Sequence, residues 1–279
     1  MIFMEVNMRR FAASAGAVLI ILLFFSGCTG NLFTEWDKPE IPSSSELDDN
    51  ALSDPEGFIS DVGDYLDGGA IDEDNAGDVI GALNIIYDPS GYDPETPGTE
   101  PADPTEQQAA LLIGEVAIAG NENAGEVVDN LAGVLTSIAD GTAVDPEAFI
   151  RSLIPAGLST PEFNAMVNAL LEAGEAYLAF GESIGEDATG EDVPFMSNAD
   201  IGDTLNRAAA GIAVIAALDA LDGSLDGTIT DLAVQTTALE AIVNGGSYGG
   251  PDPTAAFDGS IPAYDGAQNL LDLAGFDVS

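Results

Sequence analysis

The sequence predicts an all-α protein, an irregular helical bundle or a degenerate α-solenoid of about eight helices. Apolar residues recur along most of the chain at the spacing that gives a helix one buried face. Proline-containing triplets that favour helix starts precede several of these patterns, and glycines follow their ends, where a left-handed cap is favoured. No stretch shows the alternation of apolar and polar residues that is typical of a half-buried strand.

The first part of the chain is typical of a secretory signal peptide. Two arginines precede an unbroken apolar run, residues 11–25, which ends in Ser26 and Gly27. A membrane-spanning helix needs about 20 apolar residues, and this run is shorter than that. We therefore predict a signal peptide over residues 1–27 rather than a membrane-spanning anchor.

The residue after this segment is Cys28, the only cysteine in the chain. Residues 25–28 resemble the lipobox of bacterial lipoproteins, which runs through two small residues to an invariant cysteine; Phe25 stands where leucine is usual. The resemblance implies cleavage before Cys28, a diacylglyceryl thioether on its sulfur and a fatty acyl group on the new amino terminus. An uncleaved anchor and an unmodified thiol are the alternatives.

The lipoprotein resemblance also implies a location in the cell envelope. Several acyl chains together anchor a protein stably, whereas a single chain is marginal. Thr29 follows the cysteine in place of the aspartate that retains lipoproteins at the inner membrane of some bacteria. The resemblance therefore favours the outer membrane, on its periplasmic or surface face.

Residues 28–53 are predicted to form a tether. They contain Pro39, Pro42, a serine run at 43–45 and several acidic residues, a composition that builds no hydrophobic core. We expect this segment to hold the folded part of the protein away from the bilayer.

The predicted helical body covers residues 54–279. At three helix starts Asp54, Asp145 and Thr160 supply an N-cap acceptor, and each is followed by proline and then by glutamate, which complements the helix dipole. The apolar patterns predict helices over residues 58–66, 79–87, 105–119, 127–138, 149–154, 163–178, 201–221, 230–244 and 267–274.

Two proline- and glycine-rich stretches interrupt this body, an excursion at residues 88–104 and a loop at residues 247–265. The excursion either separates two domains or projects from one. We favour one helical domain, because residues 54–87 alone supply only two helices. The stretch 201–221 is rich in alanine, and small side chains permit close approach of neighbouring helices, so we expect it at the centre.

The chain carries 49 acidic and 5 basic residues, a formal net charge of −44, and the acids are spread along its length. Such a charge repels nucleic acid and anionic lipid head groups, which excludes phosphate-backbone binding and polybasic membrane contacts. The acidity is typical of halophilic proteins; an adaptation to cationic ligands is the alternative. Membrane attachment is therefore expected to depend on the lipid alone.

The composition argues against catalysis. The chain has no histidine, which excludes a Ser-His-Asp triad, a histidine base and the common zinc sites. Rossmann and P-loop fingerprints are missing as well. A carboxylate pair would suit glycoside hydrolysis, but among so many acids the sequence singles out no pair. We therefore predict a protein that is not an enzyme and has no cofactor beyond a weakly bound calcium ion.

The calcium prediction comes from residues 222–233, which resemble an EF-hand loop between two helices. Such loops place oxygen donors at the first, third and fifth positions, glycine at the sixth and a carbonyl at the seventh. The twelfth position, a bidentate glutamate in that family, is Ala233, so the resemblance implies a weak site. The matching ligand positions are Asp222, Ser224, Asp226 and Thr228.

For this loop we favour an Asp/Gly turn that caps two helices, with Thr228 or Thr230 as an N-cap, and calcium binding is the alternative.

Two classes of function stay open. The favoured one is a lipid-anchored, non-catalytic interaction or scaffold module that binds an envelope protein partner. The other is a binding protein for a cation or small solute, such as an accessory to transport.

Overall fold

The all-α prediction is confirmed. A computed structural model describes residues 38–91, 99–139, 145–155, 157–185, 193, 195, 198–257 and 260–273. These residues contain no strand and form ten α-helices: α1 (Ser44–Ser53), α2 (Pro55–Asp67), α3 (Ala76–Ile86), α4 (Pro104–Ala119), α5 (Glu122–Ala139), α6 (Pro146–Leu153), α7 (Thr160–Ile184), α8 (Asn198–Asp219), α9 (Leu232–Val243) and α10 (Asp265–Leu273). The chain divides after Lys38 into two compact units, and all ten helices belong to the second, which starts at Pro39.

The first helix lies inside the stretch 28–53 that the sequence predicts as a tether. A capping box starts α1, because Glu46 accepts from the backbone N–H of Ser43 at 3.1 Å. Leu47 and Ala51, one turn apart, are 0% and 1% exposed and join the core. Two apolar residues at this spacing were enough to dock a polar segment on α2 and α3. The folded body therefore begins ahead of the predicted boundary at residue 54, with Ile41 already packed against the core and the compact unit starting at Pro39.

The predicted helix starts are present, with one change of capping residue. Asp54 accepts from the N–H of Gly57 at 3.2 Å and caps α2, while Asp145 accepts from that of Ala148 at 2.9 Å and caps α6. The N-cap of α7 is Ser159 instead of the predicted Thr160, which is the first helical residue. Ser159 has a glutamate three positions later and so completes a capping box, an arrangement that Thr160 lacks.

The alanine-rich helix α8 lies at the centre of the body, as its composition predicts. Every residue from 208 to 218 is buried, and α8 packs against α4, α5, α7, α9 and α10. A helix with five packed neighbours favours the irregular bundle over a solenoid, in which each repeat contacts only the next. Residues 202–222 are long and apolar enough to cross a membrane, but 83% of their most apolar window is buried inside the protein.

Helices α7 and α8 approach each other through glycine. A Cβ built on Gly211 would lie 2.7 Å from the backbone nitrogen of Gly174, and a Cβ on Gly174 would lie 2.7 Å from the carbonyl carbon of Gly211. Only hydrogen fits at both positions. At Gly174 and Gly211 the two helices therefore meet backbone against backbone.

The predicted loop at 247–265 contributes to the core. It contains two short 3₁₀ turns, Pro253–Phe257 and Pro262–Tyr264, and both Phe257 and Tyr264 are 1% exposed. Its aromatic residues lie between glycines and prolines, where no periodic pattern reveals a buried face. Of the excursion at 88–104, residues 92–98 lie outside the described part of the chain.

Candidate functional site

The loop that resembles an EF-hand lies between α8 and α9. A 3₁₀ turn, Ala220–Asp222, extends α8, and the chain then turns through Gly223 and Gly227, whose φ angles are 97° and 81°. Positive φ favours glycine, so both glycines are required by the shape of the turn. The sequence placed this turn correctly between two helices.

The side chains of the loop bond to one another. Asp222 accepts from the N–H and hydroxyl of Ser224 at 3.2 and 2.8 Å, and from the hydroxyl of Thr230 at 3.3 Å. The Ser224 hydroxyl bond is the main cause that lowers the pKa of Asp222, so this exposed carboxylate stays charged. Asp226 accepts from the N–H of Thr228 at 3.1 Å. Asp222 and Asp226 therefore each hold their own tight turn.

The N-cap predicted at Thr228 or Thr230 is wrong. Asp231 caps α9, since its carboxylate accepts from the N–H of Val234 at 3.2 Å. Thr230 is occupied as a donor to Asp222. Aspartate is the stronger capping residue, which explains why the helix begins after it.

In the described part of the chain, no three acidic or cysteine side chains lie close enough together to hold a metal ion. The calcium site at Asp222, Ser224, Asp226 and Thr228 stays a prediction.

Because Ala233 offers no carboxylate, we expect any calcium binding by this loop to be weak, with a dissociation constant on the order of 10⁻⁴ to 10⁻³ M. Calorimetric titration in high salt should show this affinity, and Asp222→Ala and Asp226→Ala should abolish the heat. The same heat and stoichiometry in both variants, as in the control Asp61→Ala on α2, would refute a specific site.

The buried carboxylate of Asp219, the last residue of α8, holds this loop from the interior of the protein. It is 0% exposed, and its Oδ2 accepts from the N–H of Gly227 at 2.8 Å and from the hydroxyl of Tyr264 at 2.9 Å. Its Oδ1 has no hydrogen-bond partner among the described residues. Burial raises the pKa of Asp219, although its two hydrogen bonds act in the opposite direction. The pKa of Tyr264 is raised by its own burial and by the neighbouring charge of Asp219.

The raised pKa of Asp219 makes stability depend on pH. The unfolded chain releases this proton at a lower pH than the folded protein, so the stabilisation is complete below about pH 3.9 and is lost as the pH rises through the folded pKa. We expect Asp219→Asn to reduce the fall in melting temperature between acid and neutral pH. Asp61→Asn removes the same charge from an exposed position and should keep the wild-type slope. Equal slopes for both variants would contradict the effect of burial.

An open cleft of about 460 Å³ borders the loop. Residues 220–223 form one side, Ala238, Ala241 and Ile242 of α9 form the floor, and residues 246–250 form the other side. Asp222 is the only charged side chain in this lining, which is otherwise aliphatic, backbone, Ser247 and Tyr248. Asp222 therefore belongs both to the loop that resembles an EF-hand and to the lining of the cleft.

Two charged residues of α6 brace the far wall of the cleft. Arg151 donates to the carbonyls of Ile242 and Gly246 at 3.1 and 2.7 Å, and pairs with Glu147 at 2.8 Å. Glu147 in turn accepts from the N–H of Tyr248 at 3.0 Å. An arginine suits the last turn of α9, whose carbonyls lack intrahelical partners. One ion pair thus fixes both the end of α9 and the wall at 246–248.

A second polar cluster lies in the interior, between α4, α7 and α8. Glu115, 7% exposed, accepts from the hydroxyls of Tyr177 at 2.9 Å and Thr204 at 3.2 Å, and its other oxygen pairs with Arg207. Both carboxylate oxygens are satisfied by the helices that surround them. We interpret this cluster as an internal tie between three helices.

Two glutamates on α7 are less exposed than the sequence predicts. Glu172 and Glu175 lie off the apolar stripe of this helix, yet both are only partly exposed and burial raises the pKa of each. The charge of Glu172 adds to the shift of Glu175. These groups are expected to contribute to the same loss of stability with rising pH as Asp219.

The fold and these sites define the protein as an all-α helical body with an open, mainly apolar cleft. The predicted lipidation site, Cys28, lies outside the described residues. Comparison with known proteins finds no matching family model, no matching curated protein and no matching solved structure.

Proposed function

We propose that this protein is a lipid-anchored helical module of the cell envelope that binds another envelope protein and is not an enzyme. The observation that carries the proposal is the position of Cys28, the only cysteine, directly after an apolar run and two small residues. A separate compact unit begins eleven residues further on, at Pro39. An anchoring point followed by an independent body is the arrangement that a tethered module requires.

The charge of the protein makes the lipid necessary for anchoring. With a formal net charge of −44, the body is repelled by anionic head groups. Each buried methylene of an acyl chain contributes about 0.8 kcal/mol, so several chains outweigh this repulsion. The proposed location is the outer membrane, with the body on its periplasmic or surface face, and the acidity fits a saline habitat.

The shape of the cleft supports an interaction module. A site for a small solute is usually an enclosed cavity with several converging polar groups. This cleft is open and mainly apolar, with one charged side chain, Asp222. Weak binding of a cation or small solute is the second candidate function, and it is favoured by the position of Asp222 on both the loop and the cleft.

Lipidation of Cys28 tests the anchoring half of the proposal. Metabolic labelling with palmitate should label the wild-type protein, and intact mass should show the loss of residues 1–27 and the gain of acyl chains. Cys28→Ser should abolish both, because serine cannot form the thioether. The matched control Ser26→Ala keeps a small residue at that position and should be labelled like the wild type. A wild-type protein that takes up no palmitate label would contradict the proposed lipid anchor.

Chemical crosslinking in intact cells tests the interaction half. We expect a discrete adduct of the protein with one envelope component, which persists when the envelope is solubilised. A lipidated protein that is recovered without a partner in every condition would contradict the role as an interaction module. It would still be consistent with the proposed lipid anchor.

A further inference from the structure

We propose that the cleft between the 222–231 loop and α9 binds a basic side chain, lysine or arginine, presented by the protein partner. This inference rests on the proposed function and names the chemistry of the partner's contact surface. It follows from the lining of the cleft, the charge of the body and the bracing of one wall.

The lining matches the two parts of a basic side chain. Lysine and arginine have an aliphatic stem and a charged head, and they bury the stem along apolar surface while the head meets a counter-ion. Leu221, Ala241 and Ile242 give the cleft an apolar surface, and Asp222 is the one acidic residue of the lining. Its carboxylate already accepts from Ser224 and Thr230, so a basic head group would add to these hydrogen bonds. The ring of Tyr248 also lines the cleft, and aromatic faces attract cations.

The electrostatics favour a cationic occupant over a neutral or acidic one. None of the residues that line the cleft is basic. Arg151, which braces the wall from α6, directs its guanidinium to Glu147 and to the carbonyls of Ile242 and Gly246. The carboxylate of Asp222 is therefore left without a basic neighbour in the lining. In a chain with 49 acidic residues, only a basic surface is attracted as it approaches.

The cleft is also held in shape before a partner arrives. Glu147 and Arg151, which pair with each other, fix residues 242, 246 and 248 by three hydrogen bonds. On the opposite side, Asp219 holds the loop through the N–H of Gly227 at 2.8 Å. A surface that is already ordered loses little conformational freedom on binding, which favours a specific contact.

A short basic peptide is the probe for this site. The full-length protein in detergent micelles is titrated with a fluorescent peptide that alternates leucine and lysine, and with the same peptide carrying glutamate for lysine. The titration is run in about 1 M salt, where the Debye length of about 3 Å suppresses long-range attraction to the acidic body. The lysine peptide should bind and the glutamate peptide should not.

Two pairs of variants locate the binding. Asp222→Asn keeps the acceptor for Ser224 but removes the charge, and it should weaken binding about tenfold, the effect of losing one hydrogen bond between charged groups. Asp61→Asn removes the same charge from the exposed face of α2 and should leave binding unchanged. Ala241→Trp should fill the floor of the cleft and block binding, whereas Ala233→Trp, on an exposed position of the same helix outside the lining, should not.

Several results would overturn the inference. Equal weakening by Asp222→Asn and Asp61→Asn would assign the binding to overall charge, and equal binding by both tryptophan variants would place it outside the cleft. A wild-type protein that binds no lysine peptide would refute the site directly. These failures differ from failure of the proposed function, which is read from lipid on Cys28 and from crosslinking in cells.

Discussion

Glu115→Ala is expected to lower the free energy of unfolding by about 2–5 kcal/mol, mainly because two buried hydroxyls lose their acceptor. The carboxylate accepts from Tyr177 and Thr204, which are 0% and 6% exposed, so its removal leaves two buried hydroxyls without an acceptor. Each buried unsatisfied group costs about 1–3 kcal/mol. The side chain of Arg207, 41% exposed, loses its ion pair with Glu115 but stays in contact with water, so this loss adds little to the cost. Urea unfolding followed by helical circular dichroism measures the change.

Two further variants identify the source of this effect. Glu115→Gln keeps an acceptor for the hydroxyls but removes the charge opposite Arg207, so it should cost less than alanine. Glu126→Ala, on an exposed position of α5, is the control and should change the free energy of unfolding by less than about 0.5 kcal/mol. A loss at Glu115→Ala that is no larger than at Glu126→Ala would show that the cluster does not tie the helices together.

Gly211→Ala is expected to destabilise the protein by about 1–3 kcal/mol or more, because it overpacks the contact between α7 and α8. The new methyl group would lie 2.7 Å from the nitrogen and 2.8 Å from the Cα of Gly174. These are backbone atoms within a helix, so relief requires α7 to move away from α8. The penalty exceeds the helix-propensity gain of alanine over glycine, about 1 kcal/mol.

The matched control for Gly211 is Gly81→Ala on α3. Gly81 is also helical, and a Cβ there would meet no atom within 4 Å. Alanine should therefore stabilise the protein by about 0.4–1 kcal/mol through the unfolded chain. If both variants shift the urea midpoint in the same direction, the close approach of α7 and α8 does not decide their packing.

Local signals were sufficient to predict most of the helices. Asp54 and Asp145 cap α2 and α6 as expected, because capping depends on residues only three positions apart. The alanine content of residues 201–221 likewise predicted the central helix, since small side chains are required where several helices meet. Only α1 was missed, because Leu47 and Ala51 are too few to stand out in an acidic, serine-rich segment.

The functional surfaces could not be predicted in this way. Arg151 reaches the carbonyl of Ile242 across 91 positions of sequence, and Thr204 reaches Glu115 across 89. Asp219 is one acid among 49, and only the fold shows that its buried carboxylate accepts from the N–H of Gly227. Asp222 was singled out for its place in a calcium-loop pattern, but its position on the edge of a cleft depends on α9 and on residues 246–250.

The early start of the folded body, ahead of α1, would limit its distance from the proposed lipid on Cys28. The compact unit starts at Pro39, eleven residues after Cys28. Fully extended, those residues span at most roughly 40 Å. A lipidated protein would then stay within that distance of the bilayer, which would raise its effective concentration toward proteins embedded there. A longer linker would lower that effective concentration without changing a contact inside the folded body.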